Sequence, residues 1–550
     1  MSVQLLAAIV VAVIVVTLAN AFANRIGVAG PLVIMAIGVA VSLVPAMPAV
    51  SIAPEIILVG ILPPLLYSAA VAAPAREFTR DAGAIGGLSV VLVIVSSLLL
   101  GLALAWAIPG LGFPLAVALG AILSPTDAVA TTIVKSLGVP RRVVTILEGE
   151  SLLNDATALV TLRTAIAATA AGFSVITTVG SFIWAVLSAV VVGGLVGLVA
   201  LRLRAWTRSA TANTALGFTI PYLAYLPTEY LGGSGLVAAV AAGLVCGQGA
   251  ARWLTPEQRI SDKLNWSTVE FVLEGVVFLA MGLQLWGIIE RNIAADEGLG
   301  RAVGIAALAF AVVMVARAAY VFPMVSVRNA ILTRSVRRRL TAAEGERRAR
   351  GRPDARRARA DSDYFESSPL TWRHSTVIVW AGMRGVVTLA AAQTLPADTP
   401  ERDLLVLVAF IVAAGSLAVQ GGTLGLVVKM LGLRGQGREG PSREEIRAID
   451  GDLRRLTAHA LEEGRIAIPD DRDAATVLSR SHLFRTLRAD ARGPAVTEGL
   501  DLELALIRTM RAELRTLARS GRYSTPSLRY VRDELDAYEI SVKLHLDGAE

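Results

Sequence analysis

Long apolar runs, most of them about 20 residues, follow one another from residue 3 to about residue 431 and are separated by short polar stretches. A run of that length crosses roughly 30 Å of hydrocarbon as a helix. Thirteen stretches are predicted to span a membrane, near 3–22, 27–45, 54–73, 83–108, 113–134, 144–171, 175–201, 212–230, 234–250, 264–289, 301–325, 374–395 and 404–431. The short alternating strands of a transmembrane barrel are missing from the pattern. The expected fold is an all-α polytopic membrane protein. No Lys or Arg precedes the first run, Val3 to Leu18, so it is read as a retained span and not as a secretory signal.

The charges between the runs alternate. Arg25 follows the first run, Arg76 and Arg80 the third, and Lys135, Arg141 and Arg142 the fifth. Arg202, Arg204 and Arg208 follow the seventh, and Arg252, Arg259 and Lys263 the ninth. A very basic loop, 328–373, follows the eleventh. The other loops carry little basic excess, so the positive-inside rule puts the N-terminus outside and the C-terminus in the cytoplasm. Residues 1–433 are expected to form the transmembrane domain, and the charged stretch 434–550 a small cytoplasmic helical tail. Ser442 to Glu445 has a capping-box pattern, and helices are expected near 498–519 and 526–545. Leu506, Met510, Leu514 and Leu517 recur at helical spacing in the first of these.

Composition narrows the class further. The chain of 550 residues is 54% hydrophobic and carries a net charge of +7. The basic residues lie between runs and in the tail, which points to membrane orientation and not to nucleic acid. A lone cysteine, Cys246, excludes an intramolecular disulfide, and the four scattered histidines show no metal-ligand spacing. No cofactor is expected.

The chemistry is concentrated in Glu148-Gly149-Glu150-Ser151-Leu152-Leu153-Asn154-Asp155, within the sixth run, and in Ser124-Pro125-Thr126-Asp127, within the fifth. Carboxylates inside a membrane are costly and usually mark an ion or proton path. Ser151 and Asp155 share one helix face, and Glu150 and Asn154 the adjacent one. Their oxygens suit a hard monovalent cation. Pro125 removes a backbone donor, and Gly382-Met383-Arg384-Gly385 is a comparable weak point in the twelfth run. If runs 1–6 and 8–13 are inverted repeats, the two interruptions correspond, as at transporter sites. Glu150 needs a cationic partner, for which Arg317 and Arg384 are the candidates. Glu274 is read either as a lining residue of the cytoplasmic funnel or as a helix-packing hydrogen-bonding group. Glu148 is a candidate for the cytoplasmic mouth.

These pieces, with Leu62-Pro63-Pro64-Leu65-Leu66, Ala316-Arg317 and Val419-Gln420-Gly421, resemble the monovalent cation/proton antiporter family in its NhaP and sodium/proton exchanger branch. The resemblance implies thirteen helices in a homodimer, with two inverted six-helix repeats, a mobile core and an interface domain. It implies Asp155 as the main cation and proton ligand, surrounded by Thr126, Asp127, Ser151 and Asn154, and a Glu150–Arg317 ion pair. It also implies electroneutral exchange, because Asn and not Asp precedes Asp155. The expected activity is exchange of Na+ for H+ across the plasma membrane by a protein that is not an enzyme. A K+/H+ antiporter of the same mechanism, with Li+ as a further cation, and a cation channel are the alternatives.

Overall fold

The computed structural model describes residues 3–26, 28–44, 52–171, 175–207, 209–295, 298–343, 369–437, 443–463, 494–520 and 523–547. Every regular element among them is helical. The first are α1 (Val3–Ile26), α2 (Gly30–Ser42), α3 (Leu62–Ala72), α4 (Ala75–Gly86) and α5 (Val93–Ala107). The interrupted run follows as α6 (Phe113–Leu123) and α7 (Val129–Ser136). Then come α8 (Arg141–Ala171), α9 (Val175–Trp206), α10 (Ala210–Tyr230), α11 (Gly235–Trp253), α12 (Pro256–Leu283), α13 (Leu285–Ala294) and α14 (Leu299–Ala343). The second interrupted run gives α15 (Trp372–Trp380) and α16 (Val386–Gln393), followed by α17 (Arg402–Ser416) and α18 (Gly422–Met430). The last three are α19 (Arg443–Glu462), α20 (Pro494–Ser520) and α21 (Thr525–Asp547).

Seven helices among the described residues are long and apolar enough to cross a membrane, and three shorter ones are apolar. Large apolar side chains on α1 and α9, among them Leu18, Val191, Leu195 and Leu198, are more than half exposed. Such a surface is stable in hydrocarbon and not in water.

The chain divides into two compact units, one of residues 1–254, 261–330 and 370–437, the other of 255–260, 331–369 and 438–550. The first unit holds two apolar clusters. The larger draws on α1, α2, most of α5 to α8, and α12 to α18. The smaller joins α3, α9, α10 and α11 to Leu152 and Ala156 of α8 and Trp266 of α12. One face of α8 therefore lies on the seam between the clusters. In the second unit, Ile449, Leu504, Ile507, Leu514, Leu535 and Val542 of α19 to α21 form a separate core. The stripe of α20 includes Met510 and Leu514 as expected; Leu506 is buried outside that core, and Leu517 packs at its edge.

Two expectations need correction. A loop was expected over 328–373, but helix α14 continues to Ala343, consistent with the high helix propensity of its Arg, Leu and Ala residues; residues 344–368 of the expected basic loop lie outside the described residues. Arg142 and Arg204, taken as loop charges, lie within α8 and α9, and their side chains are buried. Arg142 meets Asp81 at 3.2 Å, Arg328 meets the same carboxylate at 2.6 Å, and Arg204 pairs with Asp262. A guanidinium at a helix end can serve topology and still turn inward to a buried acid.

Candidate functional site

The site is built on two interrupted helices and one continuous one. Between α6 and α7 the chain is non-helical at residues 124–128, and between α15 and α16 at 381–385. Each break frees carbonyls at the end of one half-helix and N–H groups at the start of the next. The Asp127 backbone N–H donates to Met383 O at 2.8 Å, which ties the two breaks together.

Charges then complement the exposed helix ends. The Asp127 carboxylate accepts from Val129 N at 2.9 Å and from the Val386 backbone N–H, the first residues of α7 and α16. The Arg384 guanidinium sits at the opposite ends. Its Nε donates to Leu123 O at 3.0 Å, Nη2 to Ser124 O at 3.4 Å and Nη1 to Gly382 O. Arg384 is thus engaged with backbone carbonyls, and the carboxylate of Glu150 goes to the other candidate.

That candidate is Arg317 of α14. Both of its terminal nitrogens reach the Glu150 carboxylate, Nη2 at 2.8 Å from Oε2, while Nε and Nη2 also donate to Ile378 O at 3.0 and 2.9 Å. The motif glycines make room for these charges. A Cβ on Gly382 would lie 2.6 Å from Arg317 Nε, and one on Gly385 would overlap the Asp127 carboxylate.

Thr126 joins the breaks to α8. Its hydroxyl donates to Glu150 Oε1 at 3.1 Å, and Asn154 Nδ2 donates to the Thr126 hydroxyl at 2.8 Å and carbonyl at 3.0 Å. Asn154 Oδ1 is buried without a hydrogen-bond partner among the described residues. The Ser151 hydroxyl donates to Glu148 O at 3.2 Å, leaving its lone pairs free.

Asp155 differs from its neighbours. It is buried on α8 within electrostatic range of Asp127, yet no hydrogen-bond or ion-pair partner reaches its carboxylate among the described residues. A buried polar group without a partner is costly, so such a group in a native fold needs a reason.

Further acids lie near Asp127 and the Lys135 end. Glu148 lies 3.7 Å from Lys135 at the Arg141 end of α8, Glu270 of α12 is in range of both, and Glu274 is in range of Glu270 and Asp127. Glu270 precedes Glu274 by four residues on the same helix face, a spacing already visible in the sequence. The role of Arg384 at the carbonyl ends was not readable from a linear sequence, because its partners come from α6 and from its own break.

The transmembrane region of the sodium/hydrogen exchanger family matches residues 9–430. The chain belongs to that family. It is 30% identical over 519 residues to the uncharacterized Na+/H+ exchanger YjcE of Escherichia coli K12, covering 88% of this chain and 89% of the relative. It is 28% identical over 414 residues to the Na+/H+ antiporter ApNhaP of Aphanothece halophytica, covering 74% of this chain and 71% of that one. The fold is similar to that of the sodium proton antiporter MjNhaP1 of Methanocaldococcus jannaschii, with a TM-score of 0.57 at 17% identity over 78% of this chain and 98% of that chain. The protein is accordingly a multi-pass membrane protein of the sodium/hydrogen exchanger family.

Proposed function

We propose that this exchanger carries Na+ in one direction and H+ in the other, with both ions competing for the carboxylate of Asp155. Na+/H+ exchange follows from family membership; the site follows from the contrast between Asp155 and the charges around it. The observation that carries the reading is that Glu150, Arg317, Asp127 and Arg384 all have bonded partners, whereas Asp155 has none among the described residues.

A buried carboxylate is driven to take up a proton, and a nearby cation opposes that protonation. One carboxylate therefore holds either a proton or a Na+ well, but not both, and the two fluxes are coupled without a further device. Asp127, Thr126, Ser151 and Asn154 supply the surrounding oxygens. Asp127 also holds the two breaks in place, and the Glu150–Arg317 pair fixes α8 against α14. Glu148, Glu270 and Glu274 form a series of acids from the Lys135 end toward the site and guide cations along it.

In this reading the half-helices and α8 move as a core against α3 and α9 to α11, giving alternating access. An empty, charged site crosses poorly because a bare carboxylate in a low-dielectric barrier is costly. The Asn154–Asp155 pair supports electroneutral exchange. The basic residues near the Arg141 end of α8 support a cytoplasmic location for that end and an external N-terminus. The exposed apolar faces of α1 and α9 suit lipid and a second copy of the chain.

The test is Na+-driven proton movement in proteoliposomes, followed with a pH-sensitive dye. Asp155→Asn and Asp127→Asn are each expected to reduce it to the level of empty vesicles while membrane abundance is unchanged. Exchange at the wild-type rate in Asp155→Asn would remove the site. Running the assay with K+ and Li+ ranks the cations, and cation flux without proton movement would favour a channel.

A further inference from the structure

We propose that Arg163 and Glu229 form a latch that holds shut the Ala171 end of the transport pathway and parts when the site opens to that side. The proposal rests on the alternating-access reading above. In the orientation given there, this is the external end.

Arg163 rides on the helix that carries Asp155, about 12 Å further along at the rise of an α-helix. Its Nη1 lies 2.8 Å from Glu229 Oε2 of α10. The pair thus crosses from α8 to the bundle of α3 and α9 to α11. By contrast, the Lys135–Glu148 pair near the Arg141 end joins α7 to α8, within one cluster.

Glu229 is a fixed post. Its Oε1 accepts from Gly235 N at 2.9 Å, at the first residue of α11. A Cβ on Gly235 would lie 2.5 Å from the Tyr225 ring and 2.9 Å from Glu229 Cγ, so this corner closes only around a glycine. The same corner is tied to α9, where Trp184 Nε1 donates to Leu231 O at 3.0 Å and Ala185 O accepts from Ser234 N at 3.1 Å. Any sliding of α8 past this bundle therefore separates the guanidinium from a carboxylate that cannot follow.

The Arg163 side chain is 60% exposed. An exposed pair of this kind shifts an equilibrium by up to about fivefold, so it biases the conformational balance without freezing it.

The test uses the full-length protein in proteoliposomes with Cys246→Ser, the only native cysteine replaced. Arg163→Cys and Glu229→Cys are combined, and the two thiols are bridged with a short bifunctional reagent whose link a reductant cleaves. Before bridging, exchange measures whether the variant folds. Bridging is expected to reduce exchange to the level of Asp155→Asn, and reductant to restore it, with either single-cysteine variant unaffected. A bridged protein that exchanges at the unbridged rate, or a pair of thiols that will not bridge, overturns the latch. If Asp155→Asn itself still exchanges, the transport site fails instead, so the two failures are distinct. As a second measurement, Glu229→Gln keeps an acceptor for Gly235 but removes the charge. It is expected to shift the apparent Na+ affinity by up to about fivefold, and the same substitution made in an Arg163→Gln background is expected to produce no further shift. An unshifted affinity in Glu229→Gln, or an equal shift when Arg163 is already neutral, counts against the latch.

Discussion

Glu150 and Asp155 are two buried carboxylates little more than a turn apart on α8, yet their surroundings are opposite. Glu150 is held by both terminal nitrogens of Arg317 and by the Thr126 hydroxyl. Asp155 has no bonded partner among the described residues and looks instead toward another acid, Asp127. The first arrangement pairs the charge inside the protein. In the proposed function, the second leaves a charge for an arriving ion to neutralise, so the bonding around a buried acid, and not its burial alone, is what separates the two proposed roles.

The largest predicted effect separates the two acids by function. Asp155→Asn is expected to abolish exchange while leaving thermal stability of the purified protein near wild type, because no fold-holding bond is lost. A large fall in its melting temperature would make Asp155 a structural residue like Glu150. The next prediction concerns the other acid. Glu150→Gln leaves Arg317 buried without a counter-charge, at a cost of about 3–5 kcal/mol, read as low membrane yield or early thermal unfolding. Neutralising Arg317 in the same chain is expected to recover part of that loss, and a double variant no better than the single one would contradict the pairing.

Smaller effects refine the picture around the breaks. Gly385→Ala would push a methyl group into the Asp127 carboxylate and is expected to cost about 1–3 kcal/mol, with a matching loss of exchange. Unaltered exchange in that variant would show that the position of Asp127 is not critical. Lys135→Gln removes an exposed partner of Glu148 and is expected to change stability by less than about 1 kcal/mol, with at most a modest change in Na+ affinity. A severe loss of exchange would assign the mouth a larger role.

The sequence made much of this legible because intramembrane charge is rare. Asp127, Glu150, Asp155 and Arg317 stood out against apolar runs, and Pro125 and the two glycines around Met383-Arg384 marked the breaks. What the residues alone left open was which cation met which anion. Arg317 and Arg384 were both candidates for Glu150, since the choice depends on how α14 and the second break pack against α8, and only the family resemblance favoured Arg317. The inward turn of Arg142 and Arg204 was hidden for a related reason. Charge counting assigns an arginine to a loop, whereas Asp81 and Asp262, far away in the chain, draw it into the protein. The latch pair was equally silent, because Arg163 and Glu229 meet across the seam only once the fold has formed.

The central claim is that Na+ and protons contend for Asp155. Adding Na+ to the purified protein in weakly buffered solution and recording the pH tests it directly. The wild type is predicted to release protons as Na+ binds, and Asp155→Asn to release none. Equal proton release from both proteins would contradict the account.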